Sequence, residues 1–145
     1  MNHRRLSAVF LSTMLSFPFG AVAAPNEIRG AAILDHPCGK VAVKQMGLAH
    51  EGKVDEANKL STPEMQAQWK SMPAKDRTMM TGIMKDMSET ESQYTADIKA
   101  GGVLVVDGQN ATLTVEKKTK DANGSSTSTV TQKFKLDGGV CLISH

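Results

Sequence analysis

The stretch that decides the fold is Ala111-Thr-Leu-Thr-Val-Glu-Lys-Lys-Thr-Lys120, which returns across Asn123-Gly124 as Thr127-Ser-Thr-Val-Thr-Gln-Lys-Phe-Lys-Leu136. Asn and Gly both tolerate the positive φ of a two-residue type I′ turn, and alternating apolar residues flank them, so the stretch predicts a β-hairpin. With Asn123 and Gly124 at the turn, Leu113 faces Phe134 and Ala111 faces Leu136. The same register sets Val115 against Gln132 and Lys117 against Val130. A strand pair with one apolar face must bury that face. The opposite face carries Thr112, Thr114, Glu116, Thr131, Lys133 and Lys135, a hydrogen-bonding surface of mixed charge.

Working outward, the chain has 145 residues, and the first 23 read as an export signal rather than as part of the fold. Arg4-Arg5 form a positive start, Leu6 to Phe19 an apolar core, and Ala21-Val22-Ala23 an A-x-A cleavage site. The apolar run is shorter than the roughly 20 residues that span a bilayer, and no cysteine follows the cleavage site to carry a lipid. An uncleaved anchor is the competing reading. Export with a short Arg-Arg start suits a bacterial periplasm.

Loss of Arg4 and Arg5 takes the 17 basic residues to 15, matching the 15 acidic ones. A neutral domain without a basic stripe argues against nucleic acid as a partner. About 120 residues suit one domain with one core, expected over 37–145 with an arm over 24–36. The two cysteines, Cys38 and Cys141, form an even pair in an oxidising compartment, which predicts a disulfide. A redox thiol is the alternative, but the spacing is not Cys-x-x-Cys.

Asp35-His36-Pro37 opens a first helix, with a cap at Asp35 or His36, ending near His50-Glu51-Gly52. A short helix follows with Val54, Ala57 and Leu60 in phase. Ser61-Thr62-Pro63-Glu64 starts a third, with Met65, Trp69 and Met72 on one stripe. Pro73 restarts the chain, and Met80, Ile83, Met84 and Met87 form the next stripe. From Glu91 the pattern reads as period two. Strands are expected at Tyr94–Ala100, Val103–Val106, the two hairpin arms and Val140–Ser144. Asn123 to Thr129 reads as a solvated hairpin tip.

Helices followed by an antiparallel meander make an α+β plan. The segment VAVKQMGLAHEGKVDEANKL, Val41 to Leu60, resembles the opening of small exported domains of the nuclear transport factor two-like (cystatin-like) superfamily. Ala49, Gly52, Asp55 or Glu56, Ala57 and Leu60 occupy comparable places, and Asp137-Gly-Gly139 before a short closing strand fits the end. The resemblance covers roughly 37–144. It implies a cone: N-terminal helices packed on a strongly bent antiparallel sheet of four to five strands. In relatives the cavity holds a catalytic pair, a small ligand or nothing. The chain departs from the pattern in the closing strand, where Val140-Cys141 replaces a common aromatic.

The residues offer four candidate chemistries. An isomerase-like pocket would need a polar pair such as Tyr94 and Asp97, but in a strand these point to opposite faces. Met79, Met80, Met84 and Met87 could hold Cu(I), yet their spacing is that of a packed helical face. His36, His50 and His145 show no ligand spacing and read as surface residues. Asn110-Ala-Thr112 and Asn123-Gly-Ser125 match glycosylation acceptors, which matter only in a eukaryotic source. No cofactor motif is present. The expectation is a non-enzymatic binding protein, an inhibitor or immunity protein that neutralises a toxic effector. Its partner would be a protein, reached through the hydrogen-bonding sheet face, which could alternatively support a homodimer. A carrier of a small apolar ligand in the cone and a Met-based copper protein are the other readings.

Overall fold

The computed structural model describes residues 24–122 and 124–145. The export signal expected over 1–23 and the turn residue Asn123 lie outside them. The described chain is an α+β unit of five helices and a five-stranded antiparallel sheet. The strands follow one another in order, from β1 (Asn26–Arg29) through β2 (Gly102–Asp107), β3 (Asn110–Asp121) and β4 (Gly124–Asp137) to β5 (Val140–Ser144). The sheet does not close into a barrel. None of the described helices is long and apolar enough to cross a membrane.

The segment read as an arm supplies structure at both levels. Asn26–Arg29 pairs with β2, and Gly30–Asp35 forms a 3-10 turn whose Ile33 is fully buried. Helix α1 (Pro37–His50) starts as the sequence predicts, with Pro37 in its first turn. His36 is the cap, its Nδ1 accepting from the Cys38 N–H at 3.2 Å. The most buried positions of α1 are small, Gly39, Ala42, Gly47 and Ala49, so the helix lies close to its neighbours. At Gly39 a Cβ would stand 1.9 Å from the Ile33 carbonyl oxygen, so only glycine fits there.

Three expectations are corrected. Tyr94–Ala100 is not a strand: it lies inside helix α5 (Glu91–Gly101). Thr90 caps that helix, accepting from the Gln93 N–H at 3.2 Å, while Gln93 Oε1 takes the Thr90 N–H at 3.4 Å. This capping box fixes the helix start, and Tyr94 and Ile98 then fall one turn apart on the buried face. The strand count survives because β1 takes the missing place.

The hairpin register differs by two residues. Asp121 pairs with Gly124, so Ala111 faces Phe134, Leu113 faces Gln132 and Val115 faces Val130. A shift of two leaves every side chain on its expected face. It matches two valines across the strands instead of setting Lys117 against Val130.

The methionine stripe of α4 (Ala74–Met87) is not a core face either. Neither α3 (Pro63–Ser71) nor α4 has a buried residue, and Met79, Ile83 and Met87 are 60, 44 and 79% exposed. Met80 and Met84 are half-buried, while Met87, on the same stripe, is exposed at the helix end.

The core lies between the sheet and α1, α5 and the 3-10 turn. Tyr94, Ile98, Leu104, Leu113, Val115 and Phe134 fill it, all essentially inaccessible. A disulfide joins Cys38 in the first turn of α1 to Cys141 in β5, with Cα atoms 5.0 Å apart and a sequence separation of 103. The free edge of β5 is covered by the chain after α2 (Val54–Asn58). The Thr62 N–H donates to the Ile143 carbonyl at 2.8 Å, and the Ile143 N–H donates to the Leu60 carbonyl at 2.9 Å. Beyond Val115 and Val130, β3 and β4 continue as a two-stranded ribbon with no further strand paired to it among the described residues.

Candidate functional site

Antiparallel pairing brings the predicted partner-binding residues onto one surface. Thr112 faces Lys133 and Thr114 faces Thr131, with Glu116 and Lys135 one pleat further along at either end. Because Ala111, Leu113, Val115 and Phe134 point into the core, these residues share the face turned away from the helices. Two further strands widen the surface. Val103 and Val105 of β2 pair with Thr114 and Thr112, and Leu142 of β5 pairs with Lys135. The result is a half-buried centre of valine and threonine with lysines standing exposed at one side. Lys135 is held by its neighbour, donating from Nζ to Asn110 Oδ1 at 2.6 Å.

At the Thr114–Glu116 end the face runs into an open hollow of about 680 Å³. Arg29, Lys99, Thr114 and Glu116 supply its polar groups, and Gly30, Gly101 and Gly102 its floor. The glycines are required there: a Cβ on Gly101 would sit 3.0 Å from the Glu116 carbonyl oxygen, and one on Gly102 2.6 Å from that of Ile98. Arg29 is paired with Glu27 at 2.5 Å, so Lys99 is the cation of the hollow that no ion pair engages among the described residues.

The Tyr94–Asp97 pair takes a different place from the one a strand would give. On α5 the two are three residues apart and share a face. Tyr94 is 0% exposed, and its hydroxyl has no hydrogen-bond partner among the described residues. Burial, then the charges of Glu89 and Asp97, push its pKa up to about 12. The Asp97 carboxyl is held above the usual carboxylate range, first by burial and then by Glu89, against the pull of Lys117. Lys117 Nζ lies 2.7 Å from Glu89 Oε2 and 5.6 Å from the centre of the Tyr94 ring. Lys117 is the next inward-facing residue after Val115, so this cluster fastens the root of the ribbon to the turn between α4 and α5.

The histidines are more engaged than surface residues. His36 caps α1, and burial lowers its pKa, which suits the acceptor role. His50 Nδ1 meets the Ser88 carbonyl at 2.9 Å, joining the end of α1 to the end of α4. His145 Nε2 lies 3.3 Å from Gln68 Oε1. Among the described residues no three His, Cys, Asp or Glu side chains are grouped as a metal site.

A second opening, which no periodicity in the sequence announces, is a groove of about 240 Å³ between α2, α3, α4 and β5. It gathers Met65, Met72, Met80 and Met84 with Trp69 and His145. Trp69 is fixed by its Nε1, which donates to Asp55 Oδ1 at 2.6 Å. The stripes at 65, 69 and 72 and at 80 and 84 were legible, but their meeting across a groove depends on how the helices pack.

The chain matches no protein-family model, no curated protein and no solved structure.

Proposed function

We propose that the protein is a non-enzymatic binding protein of the bacterial periplasm, an inhibitor or immunity protein that occupies the surface of a toxic effector. The observation that carries this reading is the outer face of the sheet, where Thr112, Thr114, Thr131, Lys133 and Lys135 stand on one surface that ends in the Lys99–Glu116 hollow. A rigid sheet backed by a filled core offers a preorganised surface, which limits the ordering cost of association. Its half-buried valines and threonines supply contact area, and its lysines supply electrostatic selection of an acidic partner.

Several observations support the reading. Tyr94, the sole tyrosine, has no exposed surface on which a substrate could land. The space between helices and sheet, where a cone would hold a small apolar ligand, is filled by Tyr94, Phe134, Leu113 and Ile98. The Cys38–Cys141 disulfide suits an exported protein. Apart from the leading strand β1, the order of helices followed by a meander resembles a nuclear transport factor two-like plan, in which the sheet would bend around the helices.

The test is capture of a partner from periplasmic extract by the mature domain, compared with a Lys133→Glu/Lys135→Glu variant. One dominant protein retained by the first and lost by the second supports the reading. Retention by both, or by neither, overturns it.

A further inference from the structure

The groove between α3 and α4 is built from an unusual set of side chains. Of the seven methionines after residue 23, four line it, at 65, 72, 80 and 84. None of the four is fully buried: Met65 touches the core from one side, and all four stay partly exposed where they line the groove. Both cysteines are closed in the disulfide, so thioethers and imidazoles are the soft donors left to the folded chain. Met80 and Met84 are one helical turn apart on one face, with Cβ atoms about 5–6 Å from each other, a spacing that lets two side chains converge on one point. Met65 and Met72 approach from the facing helix. His145 adds an imidazole, and Trp69, held by Asp55, presents an indole.

We propose that this groove binds a soft monovalent metal ion, Cu(I), through the sulfurs of Met80 and Met84, a third thioether from Met65 or Met72, and the imidazole of His145. The donor set selects the ion. Thioether sulfur suits Cu(I), whereas magnesium, calcium and manganese take carboxylate, carbonyl and water oxygens. No Asp or Glu side chain lines the groove, so a divalent ion would find little compensating charge there, while a single positive charge on polarizable sulfur is tolerated. The indole of Trp69 adds cation–π attraction at the same place. The reading is independent of the sheet face, which lies on the other side of the core.

The test uses the mature, disulfide-bonded protein titrated anaerobically with Cu(I), with bicinchoninate as the competing chelator. One equivalent should be withdrawn from the chelator, with a change in Trp69 fluorescence, the domain's one tryptophan. Met80→Leu/Met84→Leu keeps side-chain volume nearly constant and preserves the fold. It should lower the affinity at least tenfold, while Met79→Leu/Met87→Leu, both well exposed and outside the groove lining, should leave it unchanged. In methyl NMR the Met80 and Met84 signals should move on Cu(I) addition and those of Met79 and Met87 should not. Failure to compete with bicinchoninate, or equal affinity in the Met80/Met84 variant, overturns the proposal.

Discussion

Lys117 Nζ stands 2.7 Å from Glu89 Oε2, and this pair joins the root of the β3–β4 ribbon to the turn before α5. Both side chains are partly buried, so removing one partner leaves the other charge poorly hydrated and uncompensated. Replacing the lysine leaves Glu89 facing Asp97 with no cation between them. Lys117→Met should therefore lower stability by about 1–3 kcal/mol, the usual cost of orphaning a charged group. Urea unfolding of Lys117→Met, Glu89→Gln and the double variant checks it, since a real pair makes the double loss smaller than the two single losses combined.

Asp97 gives a pH signature of unusual sign. Its carboxyl takes up a proton more readily in the folded protein than in the unfolded chain, because burial and Glu89 disfavour the anion. The protonated form therefore supports the fold fully below the ordinary carboxyl value, about pH 4, and that support is lost as pH rises through the raised folded value. Asp97→Asn removes the charge at every pH. Its melting temperature should exceed wild type at pH 7, and the gap should close towards pH 3. A gap that widens on acidification would show that Asp97 is stabilised as the anion.

The disulfide should act chiefly on the unfolded chain. Closing a loop of 103 residues restricts that chain by about 4–5 kcal/mol in the chain-entropy description. Cys38→Ala/Cys141→Ala should lower the urea midpoint accordingly, and reduction of wild type should reproduce most of the loss.

Gly39 is the tightest backbone contact in the helix layer. A methyl group there meets the Ile33 carbonyl oxygen at 1.9 Å, and backbone cannot rotate away as a side chain would. Gly39→Ala should cost more than 2 kcal/mol or force the 3-10 turn off α1, despite alanine's better helix propensity. Circular dichroism melting checks it. Gly82→Ala, with nothing within 4 Å of the added carbon, should stabilise and serves as the control.

How far the sequence carries depends on what each element answers to. The starts of α1, α3 and α4 were legible because Pro37, Pro63 and Pro73 act locally. The capping pair Thr90 and Gln93 was equally local, but Tyr94, Thr95 and Ile98 favour strands by composition and masked it. Edge strand β1 has four residues and no alternation; its conformation comes from pairing with Val103–Val106. The hairpin's faces followed from period two, whereas its register answered to the matching of Val115 with Val130 as much as to turn chemistry. The groove was invisible because helical stripes at 65, 69 and 72 and at 80 and 84 look alike whether they meet a core or each other. The face with Thr112, Thr114, Glu116, Thr131, Lys133 and Lys135 was readable as a surface; the hollow beside it needed Gly30, Gly101 and Gly102 to come together.

The proposed partner surface is the outer face of the sheet. Its most direct measurement is the capture experiment run with wild type and Lys133→Glu/Lys135→Glu side by side, after both show the same thermal unfolding. Both lysines are exposed and outside the core, so the charge reversal should leave the fold intact. One dominant periplasmic protein should be retained by wild type and reduced at least tenfold by the variant. Equal retention by the two proteins, or no retained partner, would contradict it.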